Sequence, residues 1–539
     1  MWRWASVERA LDLMQQVGLN ALIFHQNDLI DQLVSPRAFF DNELMWKRWP
    51  VRLHTIDNNR HYIRKVIKEA KRREIGFYLE VKEIYYPEGL LDLFPNLRKA
   101  DGAVCSTDPF WWEFLDAKIR ELLDVIPDMA GIVVSPATRE SKVSISTNTC
   151  SCPSCQKADP LQWYHKLLDT MYRPMAEKGK KLILRDFSYT ANDQNTAINA
   201  ASLCSKDIII ALKNTPHDFY PTFPDNPRIG QTNGQPQWVE FDTWGQFFGI
   251  GFFPCSVIED MKERMKYSCE NGVTGVWFRT DWEGMTDTCS FNSFNLLNLF
   301  GGALLAQNPD LDLEQVYKAW VAYGLLSPMK FESNMEKPSI PASDTAFQHL
   351  EAFMKASWSV MEKTVFVRGH VFHEDMMFPI SLKFAFDMMT KIHGRDDWEP
   401  GASKRIEPTE ENIKVIFAEK DEALLEVQKL PELLQVDKLG LPAEVVAETK
   451  NMLDLYHHYV RGFNYVAKAC FLAKKALTTK QIDDQKAAYE SLNILDDYRN
   501  EIIQQLIDTS YPHYVYWLFD VERLEMLITD MRQSLKTIS

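Results

Sequence analysis

Short runs rich in β-branched and aromatic residues alternate with longer amphipathic stretches through the first half of the chain. Such runs are typical of buried strands, and the stretches between them are long enough for the crossover helices that parallel strands need. We predict strands at Ala21–His25, Ile75–Val81, Gly131–Ser135, Lys181–Arg185, Asp207–Leu212, Gln237–Phe241 and Thr274–Arg279. We predict helices at Val7–Val17, Asn59–Arg73, Trp111–Val125, Gln162–Lys178 and Val257–Asn271. The pattern predicts an α/β fold with a parallel sheet.

Several of these strands end in a polar or charged residue: His25, Glu80, Arg185, Lys213, Glu240 and Arg279. A (β/α)₈ barrel, or TIM barrel, carries its chemistry at the C-terminal ends of its strands. We therefore predict such a barrel over residues 1–310. The barrel needs eight strands and the pattern supplies seven. Either the first strand precedes Met1 or is missing from this chain, or a strand near Arg52–Thr55 is overlooked.

From about Leu311 the pattern changes to apolar residues at helical spacing, which predicts a second, all-α domain over residues 311–539. The predicted helices are Leu313–Tyr323, Thr345–Glu362, Glu411–Gln428, Ala443–Leu477, Lys480–Ile507 and Trp517–Leu535. The segment His373–Pro408 differs, and we predict an ordered loop there that folds over the barrel mouth. We also expect the helical domain to offer a surface for a homodimer.

Length and charge limit the classes of partner. The chain has 539 residues, too many for one hydrophobic core, and a formal net charge of −15. An acidic surface repels phosphate backbones, so we expect neither nucleic acid nor anionic membranes as partners. No apolar run is long enough to span a membrane. The stretch Met1–Leu13 lacks the layout of a signal peptide, and the compartment stays open.

Carboxylates follow several predicted strands. Glu140 follows the strand at Gly131–Ser135, Asp218 follows the strand that ends at Leu212, and Glu240 lies at the end of its own strand. Glu80, Glu83, Asp281 and Glu283 follow other strands. Each alone is an ordinary loop carboxylate, but in one barrel they converge on one volume. Cleavage of a glycosidic bond needs such a set, with one acid and one base or nucleophile.

Basic and aromatic side chains accompany these carboxylates. Arg139, Arg185, Lys213, His217 and Arg279 either offset the acidic charge or bind a carboxylate of the substrate, which arginine does bidentately. We expect the substrate-binding set to include Trp244, Asp281, Glu80 and His25 as well. The chain contains 15 Trp, and flat aromatic faces are common in carbohydrate sites. We expect no cofactor for catalysis.

Three cysteines, Cys150, Cys152 and Cys155, lie close together just after Glu140. They supply three of the four thiolates of a structural zinc site, and Cys105 or a histidine could complete the set. The alternatives are three unmodified thiols or a disulfide in an oxidising compartment.

These residues resemble motifs of the α-glucuronidases of glycoside hydrolase family 67. The most specific segment is Ile208–Phe219, where the family has a similar strand, then Lys-Asn-Gly-Pro, an apolar residue and Asp-Phe. Trp238–Phe241 is similar to the family's Met-Glu-Phe-Gln strand, and residues 275–309 are similar to its last barrel unit. Residues 131–141 are similar to the strand that ends in the catalytic acid. The resemblance covers roughly residues 5–325 and part of 390–400.

This resemblance implies a division of roles. Glu140 would be the general acid, and Asp218 and Glu240 would activate water for attack with inversion. Arg185 and Lys213 match residues that bind the uronate carboxylate. The family's lysine four residues before the acid is Pro136 in this chain.

Three interpretations stay open. The first is an inverting glycosidase acting on an α-linked uronic acid or related sugar. The second is a barrel that binds glycans without cleaving them, or a helical scaffold with a degenerate barrel. The third is a retaining glycosidase that uses other carboxylates, with Glu80 and Glu283 as candidates.

Overall fold

A computed structural model of the chain describes residues 3–82, 84–87, 89–99, 101–136, 140–186, 191–281, 289–323, 343–373, 376–508 and 513–538, without the side chains of 191–193, 508, 513 and 514. By internal contacts the chain divides into two compact units. The first unit comprises Met1–Asp218, Asn226–Glu240 and Tyr267–Trp277, and the second Phe219–Asp225, Phe241–Lys266 and Phe278–Ser539. Because this division cuts through two strands, it does not test a domain limit near residue 310, which stays a prediction.

Seven strands form one sheet in the sequential order β1 to β7. They are β1 Ala21–His25, β2 Gly76–Lys82, β3 Gly131–Ser135, β4 Lys181–Arg185, β5 Ile209–Lys213, β6 Gln237–Asp242 and β7 Gly275–Arg279. The pairs from β1·β2 through β5·β6 are parallel, with His25 opposite Glu80 and Lys213 opposite Glu240. The predicted parallel sheet is confirmed, and every predicted strand lies within two residues of its observed limits.

One face of the sheet is covered by helices. Leu79, Ile132, Leu184 and Ile210 alternate along their strands with residues of the other face and are fully or nearly fully buried. They belong to the large apolar cluster that also contains Leu115, Leu167 and other residues of the helices. Because strand side chains alternate between faces, every second residue of each strand lies on the opposite, inner face.

The inner face curls around a small apolar cluster. This cluster comprises Tyr78, Val133, Ile183, Ile209 and Ala211, with Ile23 of β1 and Trp277 of β7 packed against it. The rings of Tyr78 in β2 and Trp238 in β6 are 5.9 Å apart. In a flat sheet, strands four places apart would be separated by about 19 Å. The sheet is therefore curled, as in a TIM-like barrel.

The helices of the first unit are α1 Trp4–Gln16, α2 Asn42–Arg48, α3 Pro50–Arg72, α4 Leu90–Leu93, α5 Phe110–Val125, α6 Pro153–Gln156, α7 Pro160–Glu177 and α8 Ala191–Cys204; α9 Ile258–Glu270 runs from the second unit into the first. Residues 52–55 lie inside α3, so the overlooked strand considered there is wrong. The described residues contain seven strands in this sheet, and an eighth is not among them.

The second unit is mainly helical. Its helices are α10 Leu296–Gln307, α11 Leu313–Tyr323, α12 Asp344–Val365, α13 Leu382–Asp387, α14 Glu410–Val427, α15 Leu430–Leu434, α16 Ala443–Thr479, α17 Ile482–Asp508, α18 His513–Leu518 and α19 Val521–Lys536, and a hairpin pairs β8 Phe366–Val367 with β9 His370–Val371. The predicted helical C-terminal region is confirmed. Among the described helices, none combines the length and apolar content that crossing a membrane requires.

Two details of the helical region differ from the prediction. The segment 373–408, predicted as a loop, contains α13 and a π-helical turn at Met388–Ile392, because Ser381 caps α13 by accepting the Phe384 N–H. The helix predicted over Trp517–Leu535 is broken by Asp520, whose carboxylate accepts the N–H groups of Glu522 and Arg523 and starts α19. Coverage of the barrel mouth by residues 373–408 stays a prediction.

The start of β3 requires glycine. A Cβ on Gly131 would lie 2.3 Å from the Lys181 carbonyl oxygen and 3.0 Å from the Tyr78 ring, whereas a Cβ on Gly76, at the start of β2, would lie no closer than 3.3 Å to any atom. We predict that Gly131→Ala lowers the free energy of unfolding by about 2 kcal/mol or more, because backbone must shift. Gly76→Ala, the matched control, should cost less than about 1 kcal/mol in urea denaturation. Equal costs would contradict this account of β3.

Candidate active site

Alternation along the strands places a set of polar side chains on the inner face, beyond its apolar cluster. In β2 the inner residues are Tyr78, Glu80 and Lys82, so the apolar position is followed by two charged ones. In the other strands of the first unit an inner apolar residue is likewise followed by a polar one. The inner polar residues at the C-terminal ends of the first unit are His25, Glu80, Lys82, Ser135, Arg185, Lys213 and Glu240. This is the end of the sheet where a TIM-like fold carries its chemistry.

Arg185 occupies the centre of this set. Its Nε donates to Glu240 Oε2 at 2.6 Å and its Nη2 to Glu240 Oε1 at 2.7 Å, while Nη1 donates to Glu80 Oε1 at 2.9 Å. Ser135 Oγ also donates to Glu80 Oε1, at 3.0 Å. All three charged side chains are more than 90% buried. Arg185 therefore ties β4 to both β2 and β6 through charge-assisted hydrogen bonds.

The network sets the protonation of its members. Burial alone would raise the pKa of Glu80, but the charges of Arg185, His25 and Lys82 and the hydrogen bond from Ser135 outweigh it and lower this pKa to about 2. Burial lowers the pKa of Arg185, yet Glu240 and Glu80 reverse this effect and raise it. Both groups are ionised at neutral pH.

Glu140 lies on the connection after β3 and pairs with Lys82. The Lys82 Nζ is 2.9 Å from Glu140 Oε2, and the lysine side chain is 1% exposed against 32% for the glutamate. Burial and the charge of Arg185 lower the pKa of Lys82, while Glu140 and Glu80 partly restore it. The proton of this pair is therefore held less firmly by the lysine than in an exposed ion pair. Glu140 is also the most exposed carboxylate of the set.

Asp218 pairs with Lys213 across a tight turn that follows β5. Its backbone is left-handed, with φ of 51°, a conformation that aspartate tolerates better than most residues. Thr215 Oγ1 donates to the carbonyl oxygens of His217 and Asp218, and Asn226 Nδ2 donates to the Lys213 carbonyl at 3.0 Å. These bonds fold the turn back, so the Asp218 carboxylate reaches the lysine at the end of its own strand.

Cations and carboxylates nearly balance in this part of the first unit. Lys82, Arg185 and Lys213 face Glu80, Glu140, Asp218 and Glu240. A buried cluster of this kind can hold a polar substrate by many hydrogen bonds and can move protons between its members. Glu240 can accept further hydrogen bonds, because a carboxylate has about four lone-pair positions and Arg185 occupies two of them.

The structure places the other predicted site residues as follows. His25 pairs in register with Glu80, and His217 is buried in the turn after β5. Arg139 lies outside the described residues. Trp244 is fully buried in the second unit, with its ring against Gly251. In the same unit Arg279 Nε donates to the Asp281 carbonyl at 3.2 Å. The roles predicted for these residues stay predictions.

Three residues of the set were not predicted from sequence. Lys82 pairs with Glu140, and Ser135 donates a hydrogen bond to Glu80. The Trp277 ring centroid lies 5.6 Å from the Arg185 guanidinium. The Trp277 indole N–H has no hydrogen-bond partner among the described residues. The signal for all three is parity. Lys82 and Trp277 lie two residues from the predicted residues Glu80 and Arg279, and Ser135 lies two residues beyond Val133, which pairs in register with Glu80.

Asp242 is a further buried carboxyl, two residues beyond Glu240 in β6. Burial raises its pKa to about 6, although Arg279 and the backbone N–H groups of Gln246, Trp244 and Gly245 act in the opposite direction. Those three N–H groups bond to its carboxylate at 2.8–3.1 Å. Asp242 therefore holds the loop after β6.

Cys105 joins the predicted cysteine cluster. The sulfur atoms of Cys105, Cys150, Cys152 and Cys155 all lie within 4.8 Å of one another. Among the described residues, these four are the group of His, Cys, Asp or Glu side chains whose ligand atoms lie close enough together to hold a metal ion.

No family model matches the chain, and no curated protein matches it. Among solved structures, it is similar to a glycoside hydrolase family 138 enzyme that targets the pectin rhamnogalacturonan II, with a TM-score of 0.60 at 12% identity, over 92% of this chain and 58% of that one. The chain thus spans less than two thirds of that enzyme. An O-GlcNAc hydrolase of Thermobaculum terrenum aligns over 99% of this chain and 92% of its own, with a TM-score of 0.44 at 11% identity. The first likeness shows a glycoside hydrolase-like fold; membership of family 67 stays a hypothesis.

The low pKa of Glu80 predicts an acid-dependent loss of stability. Because the folded-state pKa of about 2 lies below the ordinary 4.5, this carboxylate stabilises the fold fully above pH 4.5, and the contribution is lost as pH falls towards 2. We expect a loss of about 3 kcal/mol across that window. Glu80→Gln should flatten the dependence of the free energy of unfolding on pH between 4.5 and 2, measured by urea denaturation. Glu43→Gln, on an exposed carboxylate paired with Lys47, is the control and should leave the slope nearly unchanged.

Proposed function

We propose that the chain is a glycoside hydrolase that cleaves an α-linked uronic acid or a related acidic sugar from a glycan, with inversion. The observation that carries this proposal is the ring of paired cations and carboxylates on the inner face, at the C-terminal ends of the strands of a glycoside hydrolase-like fold. The motif resemblance to family 67 supports the same roles. We take the curled sheet to be the catalytic barrel, of the (β/α)₈ type.

Glu140 acts as the general acid. Its carboxyl is the most exposed of the set, so it can reach a glycosidic oxygen, and its partner Lys82 has a lowered pKa. Lys82 holds this carboxyl in place, and its exposure lets Glu140 take up a proton from solvent before the bond is cleaved. Glu140 then gives this proton to the leaving oxygen as the bond to the anomeric carbon breaks.

Asp218 acts as the base, and Glu240 orients the water. Arg185 fixes the Glu240 carboxylate through both oxygens, and the lone pairs left over can accept a hydrogen bond from water. Asp218 takes the second proton of that water as its oxygen attacks the anomeric carbon from the face opposite the leaving group. The product hemiacetal has the inverted configuration.

Lys213 couples substrate binding to this base. Lys213 pairs with Asp218, and both side chains are largely buried. A uronate carboxylate that binds Lys213 competes for the same ammonium, and Asp218 is then released towards the water. Arg185 contributes the second positive charge near the uronate. A neutral sugar has no carboxylate that could replace Asp218 as the partner of Lys213.

Paired substrates test the sugar and the stereochemistry together. We expect nitrophenyl α-glucuronide and α-galacturonide to be hydrolysed about 100-fold faster, in kcat/KM, than the matching α-glucoside and α-galactoside, since one charged hydrogen bond is worth about 1.5–3 kcal/mol. Proton NMR during turnover should show the β-anomer first. Lys213→Met should remove most of the difference between the paired substrates, leaving the part that Arg185 contributes.

The outcomes separate the parts of the proposal. Equal rates on uronides and neutral sugars would remove the acidic-sugar specificity and leave a glycosidase. An α-anomer as the first product would replace inversion with retention. No hydrolysis across a broad glycan panel, together with binding of the same glycans, would make the chain a binding protein.

The acid role of Glu140 predicts a dependence on the leaving group. Glu140→Gln keeps the shape of the side chain but has no proton to give, so we expect kcat on alkyl or sugar leaving groups to fall by about 10²–10⁴-fold. Dinitrophenyl glycosides need little protonation and should lose far less. The control is Glu177→Gln. Glu177 is the last residue of α7, which leads into the N-terminal end of β4, away from the strand ends that carry the candidate site. Equal losses on both kinds of substrate would contradict the acid role.

A further inference from the structure

The four cysteines lie where the chain has little regular structure to hold it. The connection from β3 to α7 covers residues 136–159, of which 137–139 are outside the described residues, and its regular element is the four-residue α6. The small cluster formed there consists of Cys105, Cys150 and Cys155, with Ala103 and Cys152 packed against it. A cluster of thiols and one alanine adds little apolar burial around Cys150, Cys152 and Cys155, whereas Val143, earlier on the connection, lies in the large apolar cluster.

The sulfur geometry fits a tetrahedral metal. The Sγ of Cys105 lies 3.4 Å from that of Cys155 and 3.7 Å from that of Cys152, and all four sulfurs are within 4.8 Å of one another. A tetrahedron with zinc–sulfur bonds of about 2.3 Å has edges of about 3.8 Å. A disulfide needs about 2.05 Å, and all nine cysteines have unbridged sulfurs.

The backbone around the sulfurs is also arranged for thiolates. The Cys155 N–H donates to Cys152 Sγ at 3.4 Å, within the turn Cys152-Pro-Ser-Cys155. Thr107 Oγ1 lies 3.3 Å from Cys155 Sγ and 3.4 Å from Cys105 Sγ. Hydrogen bonds of this kind stabilise negative charge on sulfur and orient the ligands.

Cys105 stands on a rigid support. Its carbonyl accepts the Trp111 indole N–H at 2.9 Å, and the next carbonyl, of Ser106, accepts that of Trp163, also at 2.9 Å. Both indoles are buried in α5 and α7. One ligand is thus fixed to the helical layer, and the other three lie on the connection that carries Glu140.

We propose that Cys105, Cys150, Cys152 and Cys155 bind one Zn²⁺ ion, and that this ion positions the connection that carries Glu140. On its other side the same connection is held by the Val143 N–H, which donates to the Ile84 carbonyl at 3.1 Å, and by Lys142 Nζ, which donates to the Tyr86 carbonyl at 3.0 Å. The four cysteines fill the coordination shell of the zinc and leave no open position, so the role of the zinc is structural. Its role in positioning Glu140 rests on the proposed function; the binding of zinc does not.

Metal content tests the binding. Protein purified without a metal-affinity tag should contain one zinc atom per chain by mass spectrometry of the metals. The metal should be released in proportion as a mercurial reagent titrates the thiols. Cys105→Ser and Cys152→Ser should lose most of the zinc, whereas Cys269→Ser, on an exposed cysteine outside the cluster, should retain it. Zinc at less than a tenth of an atom per chain, full retention in Cys105→Ser, or iron in place of zinc would overturn the assignment.

Cobalt gives a readout that does not depend on how the variants fold. Replacing the metal of the wild-type protein with Co²⁺ should produce the intense sulfur-to-cobalt charge-transfer and visible bands of a tetrahedral thiolate site. Cys269→Ser should give the same spectrum. A weak, octahedral spectrum in the wild-type protein would contradict the four-thiolate shell.

The leaving-group dependence tests the positioning role. If zinc orders the connection with Glu140, zinc-depleted protein should lose more activity on substrates with poor leaving groups than on dinitrophenyl glycosides, and added zinc should restore both. An equal loss of activity on both kinds of substrate would mean that the zinc stabilises the fold in general and does not position Glu140. A protein that binds zinc but hydrolyses no glycan would leave the metal site standing and remove the proposed function.

Discussion

The bonds of Arg185 are the constraint on which the rest of the first unit depends. This guanidinium lies in β4 and bonds to Glu80 in β2 and Glu240 in β6, strands that a flat sheet would keep far apart. A buried cation is strongly destabilising without partners, so the curled sheet and the two carboxylates require each other. Side chains from alternate strands form one layer in this way in TIM barrels, and Tyr78, Ile183 and Trp238 occupy the apolar layer beneath.

The polar layer has a cost in stability that the apolar layer offsets. Ion pairs at this depth gain little over well-packed apolar side chains, and removing one partner leaves a buried charge. Such a layer is expected where chemistry needs carboxylates of different exposure. In the first unit this exposure increases from Glu240 at 5% through Asp218 at 13% to Glu140 at 32%. In the proposed mechanism this gradient corresponds to a fixed orienting group, a base and an acid that must reach the substrate.

The sequence predicted the strands better than the contacts of their side chains. Strands such as β1, β3 and β4 have their predicted limits, because each is a short apolar run that ends in a polar residue. It predicted that the carboxylates would converge, but not that Arg185 would bind two of them, since pairs across a curled sheet leave no pattern in one strand. Lys82 was missed for a related reason: it lies past the predicted end of β2, and only parity with Glu80 shows that it faces inward.

The two halves of the candidate site are held by different physics. Arg185, Lys213 and Glu240 stand on paired strands, whose hydrogen bonds fix each Cα, so sequence periodicity was enough to locate them. Glu140 stands on a connection whose path no periodicity encodes. There the spacing of Cys150, Cys152 and Cys155 was the signal, but the fourth sulfur, Cys105, is 45 residues earlier and was one of two alternatives until the fold brought it close. In the proposed mechanism the acid on this connection needs a local support as strong as a strand pair, and the proposed zinc site would supply it through four thiolates.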